Sequence, residues 1–324
     1  MDPCSEVRRS CASVLSRAAH VRLDPSALPV LVAALRSARG VAPPAWDEGG
    51  WHYSADAPSG GPATAQYVLV LDALNWCFWP SATGLEYEHL ARGLTRVLTA
   101  DAHAFDAPRL EALTPETLAS WVAPHELPCL GERVRLLREL GCALREGYGG
   151  QAAALVQAAR GSAVALVRLL AAALPGFRDG AVHGGEQVAL LKRAQIAAAD
   201  VWAAYGRRTD VGASPFAFGD VARLTCFPDY RLPQLLRAHG VLVYDARTAA
   251  AVDAREELPA GGAEEVEIRA ATVVAVQALR DVLNAEGGAE EPLMDVEVDW
   301  LLWQVGEAQR DTLPPHHRTR TVFY

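Results

Sequence analysis

Between residues 109 and 174 the apolar side chains keep helical spacing, and a Leu- and Ala-rich run at 151–174 closes on Pro175-Gly176. That period commits a chain to helices burying one face against their neighbours. The same pattern gives two helices within 5–40, split at LDPSAL, where Asp24 or Ser26 can cap and Pro25 suits a first turn. It predicts a helix over 186–205 on Val188, Leu191, Gln195, Ala198 and Trp202, and others at about 266–285 and 293–309. Residues 224–254 read as a short loop, a helix from about Pro233, a Gly240 turn and a second helix, which is a helix–hairpin–helix shape. YVLVLDALNWCFWP, at 67–80, is interrupted only by Asp72 and Asn75 and suits a strand or a buried helix equally. The expected class is mainly α, with room for a few short strands.

A length of 324 residues allows one large domain or two modest ones. The expectation is a single catalytic unit, 1–324, built from an N-terminal helical subdomain (about 1–130) packed on a C-terminal one (about 131–324). Residues 40–66 hold several prolines and glycines around one aromatic island, Trp51-His52-Tyr53, a loop long enough to carry function. The tail PPHHRTRTVFY ends in Phe323-Tyr324, which suggests a docked end.

No apolar run approaches the roughly 20 residues of a spanning helix, and the first residues do not read as a secretory signal. The six cysteines are scattered without a C-x-x-C pair, so neither a zinc site nor a disulfide framework is expected, and a reducing cytoplasm fits best. A net charge of −9 speaks against binding a phosphate polymer, though a few local cations can hold a small anion. Of the 30 basic residues, 29 are arginine and one, Lys192, is lysine. In a chain so biased, a retained lysine is either chance on a solvated face or a place where a compact ammonium is required.

Several chemistries are absent: no dinucleotide-binding glycine motif, P-loop, nucleophile elbow or H-E-x-x-H helix is present. HGGE at 183–186 is too short to carry a metal or phosphate site, and His316-His317 lack companions at ligand spacing. No metal or cofactor is expected. In CFPDYRLPQLL, Asp229 follows a proline and stands at the mouth of a helix, where a carboxylate faces the positive end of the dipole. Such an aspartate serves as a cap or as a catalyst, and capping is the commoner use. In DVEVDWLLWQ, Asp295 and Asp299 share one helix face, and Trp300 and Gln304 an adjacent one. Core packing with solvated acids accounts for that pattern, and so does a stacking wall edged by hydrogen-bonding groups.

Six blocks, VLVLDALNWCFW (68–79), LLKRAQIAAADVW (190–202), LTCFPDYRLPQLL (224–236), EVEIRA (265–270), VDWLLW (298–303) and HRTRTVFY (317–324), give the chain its resemblance to the queuosine salvage protein family, the queuosine 5′-phosphate N-glycosidases. They follow the family's order from about residue 10 onward. The resemblance implies a helical fold related to helix–hairpin–helix DNA glycosylases, and hydrolysis that releases queuine from the nucleoside monophosphate. It implies that Asp229 is similar to the family's catalytic aspartate, that Phe227 lines the base pocket, and that His52, Asp299 and Trp300 contact the base. Gln304 departs from the aspartate expected there in eukaryotic relatives; a glutamine can still accept a hydrogen bond. Candidates for the 5′-phosphate are Lys192, Arg231 and Arg193.

Queuine is a 7-deazaguanine, so carbon replaces the nitrogen through which purine nucleosides are usually protonated for departure. Catalysis must then rest on positive charge at the sugar, which Asp229 can steady electrostatically or attack to form a short-lived ester. An aspartate suits this by being anionic near neutral pH. Asp299 can accept from the ring N–H and exocyclic amine of a guanine-like edge. Two rival readings are a DNA or nucleoside base-excision glycosylase and a non-enzymatic helical scaffold; the negative charge and missing basic stripe speak against the first.

Overall fold

A computed structural model of the chain describes residues 2–287 and 291–324. In chain order the helices are α1 Pro3–Arg17, α2 Leu28–Ala38, α3 Ala63–Leu74, α4 Tyr87–Ala100, α5 Ala107–Glu111, α6 Pro115–Val122 and α7 Leu130–Tyr148. They continue with α8 Ala152–Ala158, α9 Ala163–Ala173, α10 Lys192–Ala204, α11 Arg231–Ala238, α12 Ala246–Asp253, α13 Ala263–Glu286 and α14 Asp295–Ala308. Four short strands accompany them: β1 Val21–Leu23 runs antiparallel to β4 Leu242–Tyr244, and β2 Gly180–His183 to β3 Glu186–Ala189. The mainly α expectation holds. No helix among the described residues is long and apolar enough to cross a membrane.

The elements gather into two compact units, neither continuous in sequence. One comprises Met1–Pro44, Asp179–Lys192 and Ala222–Thr321; the other Ala45–Arg178, Arg193–Val221 and Val322–Tyr324. The division expected near residue 130 falls inside the second unit, where Leu130 opens α7.

The first unit is organised around α13, against which α1, α2, α11, α14 and β1 pack. A helix covered on so many sides buries both apolar and polar positions, and Val266, Ile268, Ala270, Val273, Val276 and Leu279 are fully buried. Its buried polar residues each hold an irregular segment. Glu267 accepts the backbone N–H groups of Ala19, His20 and Val21 at 3.2, 2.6 and 3.2 Å, fixing the turn into β1. Arg269 reaches the site described below. Asp295, at the first turn of α14, is buried between Arg8 of α1 and Arg280 of α13, each at 2.7 Å.

The second unit settles the apolar run at 67–80. It is helical through Leu74, and α3 is buried on every face from Thr64 onward, which is why its sequence shows no polar stripe. Its first N–H groups are taken by Asp56, reaching Ala63 at 2.7 Å and Thr64 at 3.0 Å. Its last carbonyls meet two fully buried arginines: Arg193 donates to Ala73 O at 2.7 Å, and Arg133 bonds Leu74 O and Cys77 O. Tyr324 is buried, and its carbonyl accepts Cys77 N–H at 3.0 Å, so the chain end is docked as expected.

Three local expectations are revised. The helix predicted over 186–205 begins at Lys192, because 180–189 forms the β2–β3 hairpin, turned by Gly184 (φ 57°) and Gly185 (φ 80°). The run 151–174 is two helices, α8 and α9, broken at Arg160-Gly161, where both residues take positive φ. The Gly240 turn is present (φ 75°), but β4 intervenes between α11 and α12, so this segment is helix, turn, strand, helix.

Candidate active site

Asp229 lies at the mouth of α11, held there by the sequence around it. Its N–H donates to Phe227 O at 2.7 Å, a tight turn across Pro228. Its Oδ1 then accepts Arg231 N–H at 2.8 Å and Leu232 N–H at 3.0 Å. The capping role open to Asp229 from sequence is thus filled by one oxygen of the carboxylate. Among the described residues no hydrogen bond reaches Oδ2, and the side chain is only half-buried. A carboxylate so fixed presents one oxygen in a set direction.

The preceding residue pair is anchored to α14 and α13. Phe227 N–H donates to Asp299 Oδ2 at 2.6 Å, and Pro228 O accepts from Arg269 Nε at 2.9 Å. Phe227 and Asp299 are both buried, while Trp300 and Gln304 on α14 keep partial exposure. Asp299, expected to offer both oxygens to a ligand, has one committed to the loop that carries Asp229.

Electrostatics tie three residues together. Burial pushes the Asp229 carboxyl up from its usual range, and the Lys192 ammonium, the Leu232 N–H and Arg231 oppose that shift. Burial raises Asp299 well above the usual range; the Phe227 N–H and Lys192 oppose it, and the negative charge of Asp229 adds to it. The expectation that Asp229 ionises unaided is therefore revised, because burial works against the anion and Lys192 heads the influences that restore it. Lys192, the chain's one lysine, is buried at the first position of α10 and does not sit on a solvated face.

The other candidates fall into place separately. Arg231 is buried, with Nε 2.7 Å from Glu307 Oε1 and Nη1 2.5 Å from Gln234 Oε1. Its stem lies against Gly306 of α14, where an added Cβ would come within 3.0 Å of Arg231 Cγ. Arg193 sits in the second unit, fully buried, with its guanidinium on the carbonyls of Asp72, Ala73 and Gly176 and over the Phe177 ring. Those bonds make it a cap for α3. His52, also in the second unit, is held by Asp47 Oδ1 at Nδ1 (3.0 Å) and by Tyr87 Oη at Nε2 (2.9 Å), and Trp46 stacks on it at 4.4 Å.

Sequence reasoning missed several members of this neighbourhood. Tyr230 stacks on His316 at 4.3 Å, and burial pushes His316 down to about 4, so the ring is neutral near pH 7. His317 is buried, so neither histidine of that pair is a freely solvated one. Asp179 and Arg269 were also missed; the signals that point to them are an Asp-Gly pair before a hairpin and an arginine set among the apolar residues of α13.

A family model described as "Queuosine salvage protein" matches residues 52–324. The chain belongs to that family. A protein of Dictyostelium discoideum named queuosine 5′-phosphate N-glycosylase/hydrolase is 45% identical over 261 residues, covering 81% of this chain and 78% of its own length. One of the same name from Sphaerobacter thermophilus is 41% identical over 321 residues, covering 96% and 95%. A third, from Mus musculus, is 30% identical over 285 residues, covering 81% and 82%. Membership extends over both compact units, since the matched region runs from the His52 loop to the buried terminus.

Proposed function

We propose that this protein hydrolyses the N-glycosidic bond of queuosine 5′-phosphate, releasing queuine for salvage, and that the whole chain works as one catalytic unit. The observation that carries the reading is the relative sharing 41% identity over nearly the full length of both chains and named for that activity. Asp229 is the central group. One of its oxygens is fixed by the α11 amides, and the other faces the C1′ side of the sugar as positive charge develops there. Water supplies hydroxide to C1′ as the C1′–N bond breaks, and its proton ends on the departing deazapurine.

Phe227 and Trp300 flank the base, while Asp299 and Gln304 accept hydrogen bonds from its edge. Lys192 takes the 5′-phosphate side, with Arg231 as a second cation. A kinship with helix–hairpin–helix glycosylases is part of the same reading, supported by an aspartate at the mouth of α11, although β4 lies between the Gly240 turn and α12. The net charge of −9 favours a mononucleotide over a nucleic-acid polymer. Incubating purified protein with queuosine 5′-phosphate and with queuosine, then measuring free queuine, tests the proposal. Release from the monophosphate is expected, and none from either substrate would refute it.

A further inference from the structure

Arg269 of the EVEIRA block forms an ion pair with Asp179, which in turn accepts the backbone N–H groups of the LLKRAQ block, and the proposed chemistry has not used that pair. Arg269 of α13 makes a bidentate pair with Asp179, Nη1 to Oδ1 at 3.0 Å and Nη2 to Oδ2 at 2.6 Å. Both residues are buried, as is Glu265, whose Oε1 lies 3.4 Å from the same Nη1. The remaining donor of the guanidinium, Nε, goes to Pro228 O, the residue just before Asp229. Asp179 in turn faces the other way: its Oδ2 accepts Lys192 N–H at 3.0 Å, and its carbonyl accepts Leu190 and Leu191 N–H at 3.1 and 3.0 Å. It thereby ends the β2–β3 hairpin and opens α10. Leu191 between them takes φ 54°, the left-handed region a leucine avoids, so the segment delivering Lys192 is held against its own preference.

Stability alone is a poor reason for such a pair, since apolar side chains can often replace a buried ion pair without loss. Apolar side chains cannot offer a planar fork of donors to a carboxylate and a backbone carbonyl together, while that carboxylate caps the helix bearing the lysine. We propose that Asp179 and Arg269 are positioning residues for the hydrolysis, a clamp that fixes the Pro228-Asp229 turn and the Lys192 end of α10 in register. This rests on the reading of Asp229 given above. The charged groups around Asp229 are Lys192, Arg231 with its partner Glu307, Asp299 on α14, and the clamp itself with Glu265; His316 beside Tyr230 is neutral.

Two variants test it. Arg269→Lys keeps the charge but cannot span Asp179 and Pro228 O together. The double variant Arg269→Met with Asp179→Asn, made in a Glu265→Gln background so that no buried carboxylate is left without its cation, keeps a cap acceptor for Lys192 N–H, which preserves folding. Both are expected to fold and to lose about 10²-fold in kcat, with a smaller change in KM. The acid limb of kcat should move to higher pH, because an Asp229 out of register with Lys192 loses the ammonium that favours its anion. Wild-type kcat and an unmoved acid limb in the folded double variant would overturn the clamp.

A second readout needs no turnover. The melting-temperature gap between each background and its Asp229→Asn version grows as pH rises through the range where Asp229 ionises. Without the clamp that growth should extend to higher pH, and an unchanged profile counts against the inference. Failure of the wild type to release queuine would instead refute the functional reading, leaving the melting profiles to judge the clamp.

Discussion

Replacing Asp299 with asparagine should stabilise the protein and impair the enzyme. Asp299 is 3% exposed, its Oδ2 accepts Phe227 N–H at 2.6 Å, and burial together with the nearby Asp229 charge raises its pKa well above the usual range. A carboxyl raised on folding contributes stability that is present below its unfolded value and lost as pH rises through its folded one. Asparagine keeps an acceptor for Phe227 N–H but never ionises. The variant should therefore match wild type in acid and exceed it increasingly toward neutral and alkaline pH. The gain is on the order of 1–2 kcal/mol, the scale on which relieving a strained functional residue stabilises a protein. At about 2.1 cal/mol/K per residue, 1 kcal/mol moves a cooperative melt of this length by about 1.5 °C, so about 1.5–3 °C is expected. Putting an amide donor where the base edge needs a second acceptor should cost about 10–100-fold in kcat/KM. Differential scanning calorimetry across pH, paired with queuine release, measures both effects. A variant that melts below wild type at alkaline pH, by a margin widening with pH, would refute the reasoning.

Asp229→Ala should lose the α11 cap and about 1 kcal/mol, whereas Asp229→Asn should melt within a few tenths of a kcal/mol of wild type in acid, by denaturant unfolding. Lys192→Ala should weaken the monophosphate far more than the nucleoside and move the acid limb of kcat upward, because Lys192 favours the Asp229 anion; steady-state kinetics on both substrates would show it. Asp295→Ala should remove the acceptor shared by Arg8 and Arg280, which keep their bonds to Leu224 O and Asp281, and cost about 1–3 kcal/mol, a loss visible in the same melts.

Periodicity alone placed α1, α2, α13 and α14 to within a few residues, because each of these helices has a cap or breaker at its ends. It could not read α3, whose burial on every face erases the polar stripe that marks a helix. It overran the start of α10 because Val188 and Leu191 fit a helical spacing while belonging to a hairpin and to a left-handed residue. At the site, the Asp229 turn was legible from its proline and the following helix, and the lone lysine from the arginine bias. The bonds that hold them were not: Asp179 and Arg269 lie 90 residues apart, and no local pattern encodes such a pairing. Arg193 shows the converse, a cation adjacent to Lys192 in sequence whose guanidinium is spent on helix carbonyls.

The most direct test of the central claim is free queuine released from queuosine 5′-phosphate by wild type and by Asp229→Asn, with the variant's fold verified by its melt. Turnover by wild type and a loss of about 10³-fold or more in the variant are predicted, since the shape and the α11 cap survive and only the charge is gone. An inert wild type, or a correctly folded variant that still turns over near the wild-type rate, would contradict the account.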